Sequence, residues 1–243
     1  MAIKNIFFDF DGVIIFSNNI RIEGYYHIFR IFDKKYVNEL VDYHIRNGGL
    51  SRYNKIRYFY EKILSKPISD YKIQQYAEKY KDFMLRHLIF KKYLNNEVIQ
   101  FLKDNASKYN FHIASGSDEK ELITLTEILE IDYYFLSING SPINKDDIVK
   151  NLLRKNKYLV NETILVGDSI NDFDAAEANN ISFIGYNNLE ISNLGVGYLD
   201  HFNQIYRFLW FTVNEYNIKK DFFVNKSMQG WSTCTIKILK KTL

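Results

Sequence analysis

The stretch IFFDFDGVII, residues 6–15, carries two carboxylates, Asp9 and Asp11, where a buried strand would carry none. The apolar residues leading into it, residues 3–8, fit a parallel strand, which reads as a near-continuous hydrophobic run. A charge inside such a strand is costly unless it is paired or binds a metal. The cost falls at the carboxyl end of the strand, where open α/β sheets form their ligand crevices. Gly12 supports a chain reversal directly after the pair, so that both acids can face one crevice. Taken alone, an Asp-Gly turn at a strand end reads equally well as a hydrated turn, so the rest of the chain has to decide.

Three further segments repeat the pattern: NFHIAS (110–115), TILVGD (163–168) and ISFIGY (181–186), each a short apolar run with a turn signal at its end. Helical periodicity covers residues 96–108, the segment DEKELITLTEILEI, the segment KDDIVKNLLRK and a stretch after Asn171. Strands alternating with helices predict an α/β fold, a Rossmann-like doubly wound parallel sheet. From residue 17 to 91 the text changes to Tyr-, Lys- and Arg-rich amphipathic segments with no strand pattern. An all-helical cap domain of residues 17–91 is therefore expected, inserted after the first strand into a core of residues 1–16 and 92–209. Residues 210–243 read as a C-terminal extension. They hold six Lys and two acids, a net +4 that leaves −1 for the remainder, and read as a solvated appendage or an edge element of unknown role.

Composition narrows the class of partner. A formal charge of +3 is too small to demand a polyanion, and the one cysteine permits no intrachain disulfide. No apolar run approaches the length of a membrane span, and the N-terminus lacks a signal-peptide pattern. The expectation is a cytoplasmic, soluble protein with no nucleic-acid or membrane partner.

The chemistry gathers at the other strand ends. Ser115, Gly116 and Ser117 offer a hydroxyl and exposed amides before a helix, a natural anion seat. Asp168 ends its strand and Asp172 follows at the start of a helix. Four carboxylates converging on one crevice would repel one another unless a hard cation lay among them, and oxygen-only ligands favour Mg²⁺ over zinc. Lys145, in GSPINKDD, could deliver an ammonium to the same place. Two acids, an anion seat, a lysine and a metal-binding acidic pair make a phosphoryl-transfer site by their chemistry.

In this order and spacing the chain resembles the haloacid dehalogenase superfamily. FFDFDGVI is similar to its first motif, ASGS to its second, the lysine of GSPINK to its third, and VGDSINDFDAA to its fourth. The resemblance implies that Asp9 is the nucleophile and becomes an aspartyl-phosphate, and that Asp11 acts as general acid and then base. It implies that Mg²⁺ is held by Asp9, the backbone carbonyl of Asp11 and Asp168, with Asp172 as a ligand or as support for one. Ser115 and the Gly116 amide would hold the phosphoryl oxygens, and Lys145 would balance charge. An acid at the Asp11 position is similar to the phosphatases and phosphomutases of the superfamily rather than its dehalogenases or ATPase pumps.

Within the insertion, NGGLSRYNKI (47–56) breaks the helical text. It is similar to the cap loop of β-phosphoglucomutase and its phosphatase relatives, which would make Gly49, Ser51 and Arg52 substrate contacts, with Arg46 as a second candidate clamp. The leading expectation is a Mg²⁺-dependent phosphatase for a small phosphorylated metabolite, a sugar phosphate first. The alternatives are a hexose-phosphate mutase and a non-catalytic binding protein. Other polar residues read as structural: His112 packed beside the core, Asp118 and Glu119 in a first helical turn, Asp146 and Asp147 capping a helix, Asp174 on a helix surface, and Ser169 and Asn171 orienting Asp168.

Overall fold

Strand β1 (Asn5–Phe8) is buried along its whole length, and its one polar residue, Asn5, is satisfied by the Thr163 hydroxyl at 3.0 Å. In the computed structural model, which describes residues 2–209, it lies in the middle of a six-stranded sheet. The other strands are β2 (Asn110–Asp118), β3 (Ser137–Ser141), β4 (Thr163–Gly167), β5 (Ser182–Tyr186) and β6 (Gly197–Leu199). All pairings are parallel and the order is β3-β2-β1-β4-β5-β6. The chain winds outward in both directions from β1 and β4, and this switch point is where such sheets place ligands.

Two of the six strands differ from the four that the sequence suggests. Strand β3 is SINGS, with a single apolar side chain, and is tied to β2 by Asn139 donating to the Ile113 carbonyl at 3.0 Å. Strand β6 is three residues at the opposite edge. Edge strands carry little of the core, so neither needs an apolar run. The second strand also continues past Ser115 to Asp118, with an irregularity in its pairing to β3 between Ala114 and Asp118.

Four helices follow β1: α1 (Asn18–Ile28), α2 (Lys34–Arg46), α3 (Arg52–Tyr58) and α4 (Asp70–His87). They bury their own aromatic stripe, with Phe29 stacked on Phe59 at 4.2 Å and Tyr25 against Tyr80 at 4.7 Å. This cluster is continuous with the one that buries Ile6 and Phe8 of β1. Phe7 points to the other face of the sheet and joins Leu165, Val149 and Ala176, as alternate strand residues must.

Helices α5 (Asn96–Asn105), α6 (Glu119–Ile128), α7 (Lys145–Asn156) and α8 (Ile170–Ala178) cover the sheet. Asp146 and Asp147 lie in the first turn of α7 rather than at its cap, which is Asn144. No helix among the described residues is long and apolar enough to cross a membrane. The expected extension of residues 210–243 lies outside the described residues.

Candidate active site

The chain turns sharply after β1. Gly12 has φ +76°, and a Cβ there would stand 1.8 Å from Asp168 Oδ2, so only glycine lets the Asp9–Asp11 turn meet the end of β4. Asp9 is buried; its Oδ1 accepts from the Phe10 amide at 2.7 Å and pairs with Lys145 Nζ at 3.0 Å. Lys145, the first residue of α7, also pairs with Asp172 Oδ1. Asp172 is fully buried, and its Oδ2 accepts from the Ser169 amide at 2.9 Å and the Ser169 hydroxyl at 2.7 Å. Ser169 therefore orients Asp172 rather than Asp168. Asp168 receives a long contact from Asn18 Nδ2 at 3.4 Å, and Asn188 holds its backbone carbonyl at 2.8 Å.

Carboxylate oxygens of Asp9, Asp168 and Asp172 lie within 4.8 Å of one another. Burial first, then the charge of Asp172, pushes Asp9 up to about 7 against the pull of Lys145. Burial, Asp9 and Asp172 hold Asp168 well above the carboxylate range. Lys145 moves the other way: burial lowers it, but Asp172 and Asp9 outweigh burial and keep it protonated. Three carboxylates share one lysine, so burial and, after it, the excess of negative charge raise the first two.

Asp11 has a different environment. Its Oδ1 accepts from Arg21 Nε at 2.8 Å and from the Ser17 hydroxyl, and its Oδ2 from the Ser117 hydroxyl at 2.5 Å. Burial alone would raise it, yet Arg21 and the two hydroxyls prevail and hold it below the usual range. Ser115 is buried at the same end of β2, where its hydroxyl oxygen accepts from the Ser117 amide at 3.2 Å. The four segments singled out in the sequence thus meet at the switch point.

A cavity of about 420 Å³ separates these residues from the helical insertion. Asp9, Asp11, Ser115 and Asp168 line one side; Arg21, Tyr25, Arg46, Arg52, Lys55 and Tyr80 line the other. Arg52 is not a loop residue but the first residue of α3, buried, with its guanidinium on Glu121. Ser51 caps α3 by accepting from the Asn54 amide at 3.3 Å, and it lines a smaller cavity of about 280 Å³ beyond Gly49 and Gly116. Lys55 is buried, donating to the Gly48 carbonyl at 2.9 Å, and burial lowers it to about 7. Arg21, Glu121 and Tyr80 were not singled out in the sequence. Each sits in an ordinary amphipathic helical pattern, and nothing local marks it as facing the site.

An open, parallel, doubly wound sheet with buried carboxylates and a lysine at its switch point defines an α/β enzyme of the superfamily whose motifs the sequence resembles. The family model for haloacid dehalogenase-like hydrolases matches residues 6–186, and the chain belongs to that family. Among solved structures, it is similar to β-phosphoglucomutase from Clostridium difficile, at 18% identity and TM-score 0.67, covering 92% of this chain and 99% of that one. It is similar to a predicted phosphoglycolate phosphatase from Haemophilus somnus, at 16% identity and TM-score 0.67, covering 86% and 98%. CbbY from Rhodobacter sphaeroides, in complex with xylulose 1,5-bisphosphate, aligns at 13% identity and TM-score 0.67, covering 84% and 96%. At these identities the likeness is one of fold. A search of the curated proteins finds no match.

Proposed function

We propose that the protein is a Mg²⁺-dependent phosphatase that hydrolyses a small phosphorylated metabolite, a sugar phosphate before others, through an aspartyl-phosphate on Asp9. The carrying observation is the convergence of Asp9, Asp168 and Asp172 within 4.8 Å, with Lys145 at 3.0 Å from Asp9, where Asp9 and Asp168 line a cavity together with Asp11 and Ser115.

The donor set fits a hard cation, since it offers oxygen alone and its carboxylates are buried together, where burial and then their mutual repulsion raise Asp9 and Asp168. Asp9, Asp168 and Asp172 would hold it, with the Asp11 backbone carbonyl as a further oxygen. Bound there, Mg²⁺ screens the phosphoryl charge against an approaching carboxylate.

The residues of the chain divide the remaining work. Asp9 Oδ1 is occupied by the Phe10 amide and Lys145, which leaves Oδ2 to attack phosphorus. The ester P–O bond breaks as Asp11 gives its proton to the departing oxygen. Asp11 then takes a proton from water, whose oxygen attacks the aspartyl-phosphate and frees phosphate and Asp9. The donors around Asp11 favour its carboxylate, the form suited to that second half. Ser115 and the Gly116 amide hold phosphoryl oxygens, and Lys145 balances their charge.

Residues 17–91 act as a cap over the core. A cavity of about 420 Å³ admits a small metabolite, and Arg46 and Arg52 in its wall would meet the end of the substrate distal from phosphorus. The names of the similar structures, a phosphoglucomutase, a phosphoglycolate phosphatase and a sugar-bisphosphate complex, support a small phosphate ester as substrate.

The test is phosphate release from a panel of sugar and other small-metabolite phosphates, with Mg²⁺ and with chelator, beside Asp9→Asn. Metal-dependent release from a narrow set of esters, absent in the variant, supports the reading. Isomerisation with little free phosphate would make the protein a mutase. Ligand binding without turnover would make it a binding protein.

A further inference from the structure

Glu121 belongs to none of the four motifs, yet two helices of the insertion meet on it. It lies in the first turn of α6 and is fully buried. Its Oε1 accepts from Nη1 of Arg21, on α1, and its Oε2 from Nη2 of Arg52, on α3, at 2.5 Å. Arg21 donates at the same time from Nε to Asp11 at 2.8 Å. Four alternating charges, Asp11, Arg21, Glu121 and Arg52, therefore run from the reacting end of the cavity to α3.

The surroundings leave these groups little freedom. Tyr80 of α4 lies 4.9 Å from the Arg52 guanidinium and donates to the Arg21 carbonyl at 2.8 Å. Tyr53, next to Arg52, donates at 2.6 Å to Asp118, the residue that caps α6 by accepting from the Glu121 amide. The N-terminus of α6 thus receives three insertion side chains: Arg21, Arg52 and Tyr53. With Asp11 and Glu121 placed as they are, each guanidinium has one terminal nitrogen left over. Nη2 of Arg21 and Nη1 of Arg52 are buried without a hydrogen-bond partner, and both arginines line the cavity. Buried donors without acceptors are costly and uncommon, so a pair of them in one cavity wall points to an acceptor brought in from outside.

We propose that Glu121 is a positioning residue. It holds the two arginines so that Arg21 orients Asp11 while both offer their remaining N–H groups to an oxygen acceptor at the far end of the substrate, a carboxylate or second phosphate by preference. The substrate part rests on the phosphatase reading; the closure of α1 and α3 onto α6 stands apart from it. In Glu121→Gln the single remaining oxygen serves one guanidinium, and the amide N–H₂ opposes the other.

Two readouts on the full chain test this. The first is amide hydrogen exchange in wild type, Glu121→Gln, Arg52→Gln and the double variant. Exchange at residues 47–58 is expected to rise about 10-fold or more in each single variant, with β1 and β4 unchanged, and the double variant is expected to match Arg52→Gln alone. Arg52→Gln removes the same contact without altering the core, so it carries the test if Glu121→Gln does not fold. Wild-type exchange at residues 47–58 in folded variants, or a uniform rise across the chain, overturns the proposal.

The second readout is steady-state hydrolysis of phosphoglycolate, which carries a carboxylate, and of p-nitrophenyl phosphate, which does not. Glu121→Gln is expected to raise KM about 10-fold or more for phosphoglycolate with a much smaller effect on p-nitrophenyl phosphate. Equal losses on both esters overturn the positioning of the acceptor site. A wild type that hydrolyses neither these two esters nor any of the sugar and small-metabolite phosphates of the panel, with exchange as expected, would sink the phosphatase reading and leave the closure on Glu121 in place.

Discussion

The carbonyl oxygen of Gly49 lies so close to Gly116 that a Cβ on Gly116 would stand 2.0 Å from it. A loop of the insertion is thereby seated on the backbone of the anion seat at the end of β2, and the contact exists because Gly116 has no side chain. From the other side, a Cβ on Gly49 would stand 2.7 Å from Asn171 Cβ, beside the fourth motif.

Gly116→Ala is expected to hold the loop off the core without unfolding the chain. The expected outcome is a loss of about 10²-fold in kcat/KM on the best ester of the panel, since small misplacements of a positioning element cost that much. Circular dichroism should stay that of the wild type. Gly49→Ala should act in the same direction. Full activity in Gly116→Ala would show that the loop does not need this seat.

Asp9→Asn should abolish turnover while the fold persists. The buried carboxyl is held up to about 7 by its surroundings, so the neutral amide suits the metal-free site at least as well. Thermal unfolding in chelator at pH 8 should therefore show an equal or higher Tm in the variant. Retained turnover would remove Asp9 from the nucleophile's role.

The same raised carboxyl makes metal-free stability depend on pH. Asp9 titrates at about 7 in the fold against 3.8 for an ordinary carboxyl, so between those values the folded state holds a proton that the unfolded state has released. Stability then falls as pH rises through that window, at up to about 1.4 kcal/mol per pH unit. Added Mg²⁺ should restore it, with a Tm increment that grows from about pH 5 to about pH 8. An increment that is flat with pH would show that the cation does not sit among these carboxylates.

Lys55 gives the opposite sign in the next window. Burial lowers it to about 7 from 10.5, so between those values the unfolded chain binds more protons and stability rises with pH. Lys55→Met removes the penalty of a buried ammonium. Its Tm relative to wild type should be most favourable near pH 6 and decline toward pH 9. A difference independent of pH would mean that the loss of its bond to the Gly48 carbonyl dominates.

Asp9, Asp11, Ser115, Asp168 and Asp172 were legible in the sequence because each follows or ends an apolar strand of a parallel sheet, whereas Lys145, which follows the weak strand β3, was legible only from the motif GSPINK. In such a sheet the chain order of the strand ends is enough to bring their residues together. Strands β3 and β6 were not legible, since an edge strand such as SINGS is held by backbone pairing and by Asn139 rather than by an apolar run. The fourth motif in the sequence suggests that Ser169 orients Asp168, but the geometry of the α8 turn directs its amide and hydroxyl to Asp172.

The alternation of strands and helices, the helical insertion after the first strand and the carboxylates of the core are properties of local pattern and can be read along the chain. The pairing of Glu121 with Arg21, 100 residues away along the chain, and with Arg52, 69 residues away, comes from the packing of the folded chain. Which buried charge meets which depends on how helices α1, α3 and α6 pack, and no periodicity along a single helix encodes that choice. The opposite ionisation of Asp9 and Asp11 was decided in the same way. Two carboxylates two residues apart differ because one turns toward Asp172 and burial, and the other toward a guanidinium carried in by the insertion.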